Sequence, residues 1–288
     1  MNKVKLIECP RDAMQGIKSH FIPTNQKAQY INALLRVGFD TIDFGSFVSP
    51  KAIPQMRDTA EVLSKLDLSS TESKLLAIVA NIRGAEEASQ FEEIKYLGYP
   101  FSISENFQMR NTGKTIAESI FILNEILEIA SKSSKEVVAY LSMGFGNPYG
   151  DEWNVNVVAK WTKVLADMGI QTIAFSDTIG VSNAENITYL FKEITPLFPN
   201  VSFGAHLHAN PADAINKLAA AYQAGCRRFD VAINGYGGCP MASDQLTGNM
   251  ATEVLLNYLV EQQIAHNVKS EAIPKMMADF QSMLNSND

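Results

Sequence analysis

The sequence predicts a single (β/α)8 barrel, and three observations predict it. Eight short β-rich runs alternate with helical stretches along the 288 residues. Glycines stand where helices should stop and strands begin, in VGFDTIDF at Gly38, LGYPFSI at Gly98, MGIQTIAF at Gly169 and AGCRRFDV at Gly225. They mark a strand–helix unit that recurs at roughly 30–45 residues. No Pro-, Gly- or Ser-rich linker divides the chain. A doubly wound open sheet is the alternative, but eight units in this length favour closure.

The strands are expected at Val4–Glu8, Thr41–Phe44, Lys74–Val79, Pro100–Ser104, Glu136–Ser142, Thr172–Ser176, Val201–His206 and Arg228–Ile233. Apolar stripes at helical spacing lie between them. They are Ala28/Ile31/Leu34/Leu35, Ile116/Ile120/Leu123/Leu127, Val157/Trp161/Val164/Leu165/Met168 and Ile187/Leu190/Phe191/Ile194. Asn210 before Pro211 reads as the N-cap and first residue of the seventh helix. The barrel is expected over about residues 4–262, with 265–288 as a C-terminal helical appendage ending in a loose tail.

A net charge of −7 and 46% hydrophobic residues describe an ordinary globular chain. The acidic balance argues against nucleic-acid binding, which favours a basic face. No run approaches the roughly 18 apolar residues of a membrane span, and the apolar run among the first residues is shorter than a signal h-region is expected to be. Three scattered cysteines, Cys9, Cys226 and Cys239, form neither a disulfide framework nor a zinc-thiolate spacing, which implies the reducing cytoplasm.

Barrel active sites lie at the C-terminal ends of the strands. Polar residues converge there. Strand one runs into Glu8, Arg11 and Asp12; strand two into Asp43 and Ser46; strand six into Asp177; strand seven into His206 and His208. In His206-Leu207-His208 the two imidazoles, from a chain with only four, point the same way along a strand. Neutral imidazole suits divalent transition metals. Strand one neighbours strands seven and eight in a closed barrel, so Asp12 can approach the pair. Arg11 is a fixed cation that either neutralises an oxyanion or pairs with Asp43 or Glu8. Asp177 reads as an acid/base or as the opening of a turn. Cys239 lies in a glycine-rich loop suited to movement, and Asn249 and Glu253 share one face at the start of the last helix.

The segments PRDAMQ at 10–15, SFVSPK at 46–51, SENFQ at 104–108, SDTIGV at 176–181, HLH at 206–208, GGCP at 237–240 and GNMATE at 248–253 resemble the 3-hydroxy-3-methylglutaryl-CoA lyase family. That family sits among barrel metallolyases related to isopropylmalate and homocitrate synthases. SFVSPK and GGCP point to the lyases rather than the synthases. The resemblance implies cleavage of 3-hydroxy-3-methylglutaryl-CoA into acetyl-CoA and acetoacetate, a reaction of leucine degradation and ketone-body metabolism. It implies a divalent metal, Mg2+ or Mn2+, on Asp12, His206, His208 and Asn249. It implies Arg11, Cys239, Asp177, Asp43 and Glu253 as catalytic residues, with Arg11, Lys18 and Ser46 contacting an acyl-CoA. It also implies a homodimer.

The chain departs from that pattern around the acyl group. Asp43 stands where the family usually has Glu. ECPRDAMQ is one residue shorter before Pro-Arg, with Ala13 for glycine. Ala209-Asn210-Pro211-Ala212 and the stretch 241–247 also differ. A related aldolase or acyl-CoA condensing enzyme is therefore the rival. A non-catalytic acyl-CoA binder and a two-His-one-carboxylate iron oxygenase fit fewer of the residues.

Overall fold

The structure, a computed structural model, describes residues 3–238 and 247–285. Eight parallel strands close in sequence order: β1 (Lys5–Glu8), β2 (Thr41–Ser46), β3 (Lys74–Ile78), β4 (Ile94–Ser102), β5 (Glu136–Ser142), β6 (Thr172–Ser176), β7 (Ser202–His206) and β8 (Arg228–Val231). β8 returns to pair with β1 from Lys5↔Arg228 to Glu8↔Val231, which seals the barrel. The helices are α1 (Pro10–Gln15), α2 (Thr24–Leu35), α3 (Thr59–Leu63), α4 (Ile82–Ser89), α5 (Glu105–Thr112), α6 (Ile116–Lys132), α7 (Val155–Asp167), α8 (Ala184–Ile194), α9 (Ala214–Gln223), α10 (Thr252–Glu261) and α11 (Ile273–Asn285). None is long and apolar enough to cross a membrane.

Local chemistry explains where the helices begin. Asn81, Ser104, Thr115, Asn154 and Asn183 each accept a backbone N–H of the first turn, and Thr115 with Glu118 closes a reciprocal capping box. The apolar helix faces pack on the outside of the sheet and form the main core. A second, smaller core of Leu76, Val138, Tyr140 and Ala174 fills the barrel interior. Phe280 of α11 packs between Tyr30 and Tyr236, at ring separations of 5.3 and 5.4 Å. The C-terminal helix thus packs on the barrel.

Three expectations are corrected. Gly98 does not stop a helix. It lies within β4, facing inward, where a Cβ would come within 2.6 Å of Ile78 Cδ1. The other three glycines do close helices, at φ of 97°, 94° and 105° for Gly38, Gly169 and Gly225. Asn210-Pro211 forms a turn, with the Asn210 carbonyl accepting from Asp213 N, and α9 starts only at Ala214. The buried face of α7 is Val158, Thr162 and Leu165, one residue round from the stripe expected from Val157 and Trp161.

Candidate active site at the barrel mouth

Pro10 opens α1 directly after β1, since its fixed φ and missing N–H suit the first helical position. Arg11 and Asp12 therefore sit in a first helical turn over the barrel mouth rather than on the strand itself. One turn on, Gln15 Nε2 donates to Asp12 Oδ1, and Arg11 Nη1 reaches the same oxygen at 3.0 Å. From the far side Asn249 Nδ2 donates to Asp12 Oδ2 at 2.6 Å. Asn249 is carried in by a bridge to His208, not by α10, which starts at Thr252.

His206 ends β7 and His208 follows two residues later. Their rings lie 5.4 Å apart and both turn toward Asp12. One donor atom from each of Asp12, His206 and His208 lies within 4.8 Å of the others. That spacing lets the three atoms reach one ion at ordinary ligand distances. His208 supplies the test of fit. It is 2% exposed, and neither ring nitrogen has a hydrogen-bond partner among the described residues. A buried imidazole without a partner is costly, and a cation among three such donors satisfies it.

The electrostatics agree. Burial, reinforced by His206, pushes the His208 pKa down to about 4, so its ring is neutral and available as a ligand. Burial opposes ionisation of Asp12, but Arg11 and both histidines hold its carboxyl below the usual range. Burial also opposes protonation of His206, yet the bond and charge of Asp230, with Asp12, carry it above the ordinary histidine value. Asp43, 1% exposed, is pushed up to about 6 by burial against the pull of Arg11.

A cavity of about 360 Å³ opens beside this group. Arg11, Asp12, Gln15, Ser46, His206 and His208 are among its polar lining, and Ile78, Pro100 and Tyr140 line it as well. Not every expected residue reaches it. Asp43 stands behind Arg11. Glu253 accepts from Asn234 N at 3.1 Å, and Lys18 is exposed; neither lines the cavity. Asp177 is also outside the lining. It accepts from Ser182 N at 3.1 Å and Ser182 Oγ, and Lys217 Nζ lies 3.2 Å from it. Its backbone carbonyl accepts from Gly180 N, which is the turn-opening alternative. Cys239 lies outside the described residues.

Two polar residues at this site carried no sequence signal of their own. Gln15 becomes visible only once α1 is known to be helical, because it is then one turn from Asp12. Asp230 becomes visible only through the β7–β8 register, which sets it opposite His206.

Residues 3–279 match the model of the HMGL-like family. A hydroxymethylglutaryl-CoA lyase of Bacillus subtilis is 33% identical over 264 residues, covering 92% of this chain and 87% of that one. A Pseudomonas aeruginosa protein described as a 3-hydroxy-3-isohexenylglutaryl-CoA/hydroxymethylglutaryl-CoA lyase is 32% identical, covering 94% and 89%. Among solved structures, an HMG-CoA lyase from Acinetobacter baumannii in complex with coenzyme A and 3-methylmalate superposes with a TM-score of 0.91 at 29% identity, covering 99% and 92%.

Proposed function

The chain belongs to the HMGL-like family, and on that premise we propose that it is a carbon–carbon lyase acting on 3-hydroxy-3-methylglutaryl-CoA or a close analogue. The products are acetyl-CoA and the 3-oxo acid, acetoacetate for the parent substrate. The observation that carries this reading is the grouping of Asp12, His206 and His208 with the Arg11 guanidinium on one wall of one cavity.

The three donors, with Asn249 beside Asp12, are the residues that would hold a divalent ion, Mg2+ or Mn2+. Such an ion supplies Lewis acidity to hydroxyl and carbonyl oxygens. Arg11 does the complementary work. As the carbinol hydroxyl gives up its proton to a carboxylate or imidazole of the cavity wall, the carbinol oxygen becomes the 3-oxo carbonyl and the bond to the thioester α-carbon breaks, leaving negative charge on the thioester oxygen. A guanidinium fixed at the cavity wall stabilises that charge without having to reorganise. Asp43 fixes it there by bonding Arg11 Nε at 3.2 and 3.1 Å. Ser46 lines the same wall and supplies a hydroxyl to the bound acyl chain. Asp177 and Glu253 act from behind: the first ties Lys217 to the loop after β6, the second holds the backbone of Asn234. By resemblance, Cys239 returns a proton to the α-carbon and Lys18 meets the CoA moiety.

The dual description of the Pseudomonas relative and the altered segment at 209–212 favour one further reading, a longer substituent at the carbinol carbon. The test is a panel of 3-hydroxy-3-alkylglutaryl-CoA thioesters, with release of 3-oxo acid and acetyl-CoA followed with and without EDTA. Turnover that disappears with EDTA and returns with Mg2+ or Mn2+ is expected. Full activity after metal removal would sink the metal reading, and no turnover across the panel would sink the substrate class.

A further inference from the structure

Next to His206 lies a buried polar chain, Asp230 and Arg228, that takes no part in the proposed reaction. His206 Nδ1 is 3.3 Å from Asp230 Oδ2, between residues paired across β7 and β8. Asp230 Oδ1 is in turn 2.7 Å from Arg228 Nη1, an ion contact outside hydrogen-bond geometry. Asp230 is 2% and Arg228 7% exposed, so both charges are inside the barrel. Gly204 makes room for the guanidinium: a Cβ there would stand 2.7 Å from Arg228 Nη1. The Tyr140 ring meets His206 edge-on at 5.6 Å, and Cys9 Sγ falls in one cluster with His206 and Asp230.

We propose that Asp230, oriented by Arg228, is the positioning residue that fixes the tautomer and plane of the His206 ring. An ionised carboxylate can only accept. Facing Nδ1, it selects the tautomer with hydrogen on Nδ1 and leaves the lone pair on Nε2, on the side of Asp12 and His208. Burying a carboxylate for this task is costly, and Arg228 offsets that cost from the barrel floor. The arrangement has a sharp consequence. An amide at position 230 would turn its oxygen toward the Arg228 cation and its NH2 toward His206. Nδ1 would then have to accept, hydrogen would move to Nε2, and the ring would present a donor where a ligand is needed. The same swap with the cation removed would leave the amide free to turn its oxygen back to Nδ1.

This inference rests on the metal reading of the site, so the experiment separates the two. Wild type, Asp230→Asn, Arg228→Met and the double variant are compared. The His206 tautomer is read by long-range proton–nitrogen NMR in metal-free protein at a pH where the ring is neutral. Mn2+ affinity is read by EPR, and folding by near-UV circular dichroism. Expected are an Nδ1–H ring in wild type and Arg228→Met, and an Nε2–H ring in Asp230→Asn with Mn2+ affinity lowered about 10–100-fold. The double variant should regain the Nδ1–H ring and much of the affinity. An unchanged tautomer in folded Asp230→Asn overturns the inference, as does an Nε2–H ring in the folded double variant. If neither single variant folds, the wild-type tautomer decides: Nε2–H overturns the inference and Nδ1–H upholds it. Failure of wild type to bind Mn2+ overturns the metal reading instead, while the tautomer result still stands.

Discussion

Arg11 Nε lies 3.2 and 3.1 Å from the two carboxylate oxygens of Asp43, across the seam between α1 and β2. Nη1 of the same guanidinium is 3.0 Å from Asp12 Oδ1. One buried cation is thus shared by a carboxylate that faces the candidate metal and one that does not. Arg11→Lys keeps the charge but loses the planar fork, so it cannot hold both partners. Its kcat should fall about 100–1,000-fold, the range for loss of an oxyanion donor. The Tm increase on adding Mn2+ should persist, because the three donors remain. Loss of that increase would show that Arg11 builds the metal site rather than meets the substrate. Asp43→Ala should be the more destabilising change, by about 3–5 kcal/mol in chemical denaturation, since it removes one partner of a buried pair.

His208 presents a trade between stability and function. Both its ring nitrogens are buried and unpartnered among the described residues. In metal-free protein, an apolar side chain of similar size removes that desolvation cost. His208→Leu should therefore match or exceed the wild-type Tm without metal, and should gain nothing when metal is added. Wild type should gain about 2.7 kcal/mol at a metal concentration of a hundred times Kd. Differential scanning fluorimetry with and without Mn2+ reads both. A large Tm loss in metal-free His208→Leu would mean that the ring has a structural partner after all.

Glu8 should make stability depend on pH in an unusual direction for a carboxylate. It is 1% exposed, and burial pushes its pKa from 4.5 up to about 8. Bonds from Thr252 Oγ1 at 2.6 Å and Ile233 N at 2.8 Å oppose the shift but do not cancel it. Between these two values the folded chain holds a proton that the unfolded chain has released. Stability from this group is therefore complete below about pH 4.5 and declines as pH rises toward 8. The decline is on the order of a few kcal/mol. Glu8→Gln keeps an acceptor for Ile233 N and removes the titration. Urea denaturation from pH 5 to pH 9 should show the variant gaining on wild type as pH rises; parallel curves would refute the assignment.

The legible and illegible parts of the site divide on physical grounds. His206 and His208 were legible because strand geometry turns alternate residues to one side. Asp12 was legible because closure pairs strand one with strand eight, whose other neighbour is strand seven. Asp230 was not, because an Asp in FDV reads alike whether it faces a histidine or a helix until the β7–β8 register is known. Asn210-Pro211 misled because it fits a turn and a helix start equally well. The tasks of Asp177 and Glu253 were hidden for a related reason. Motif position puts them near the mouth, but only their partners, Lys217 and Asn234 N, show which way their oxygens point.

Gly98 shows how one residue type carries two opposite meanings, and it gives a last test. Gly169 has a φ of 94° and open space around it, so an added Cβ meets only backbone strain. Gly98 is in β4, and an added Cβ would lie 2.6 Å from Ile78 Cδ1, 3.0 Å from Leu76 Cδ2 and 3.0 Å from Tyr140 Cε2. Ile78 and Tyr140 also line the cavity. Gly169→Ala should therefore cost about 1–3 kcal/mol from its left-handed backbone and leave KM alone. Gly98→Ala should cost a similar amount, about 1–3 kcal/mol, but through overpacking of the barrel interior. The crowding should be relieved into the cavity, because Val138, level with Gly98, and Ala174, level with Tyr140, already fill the barrel interior. KM for the acyl-CoA should then rise in Gly98→Ala while kcat changes less, since the candidate metal ligands come from α1 and from the end of β7 onward, away from β4. Equal Tm losses with unchanged KM in both variants would show that the interior relaxes without touching the site, and would remove Gly98 from the residues that shape it.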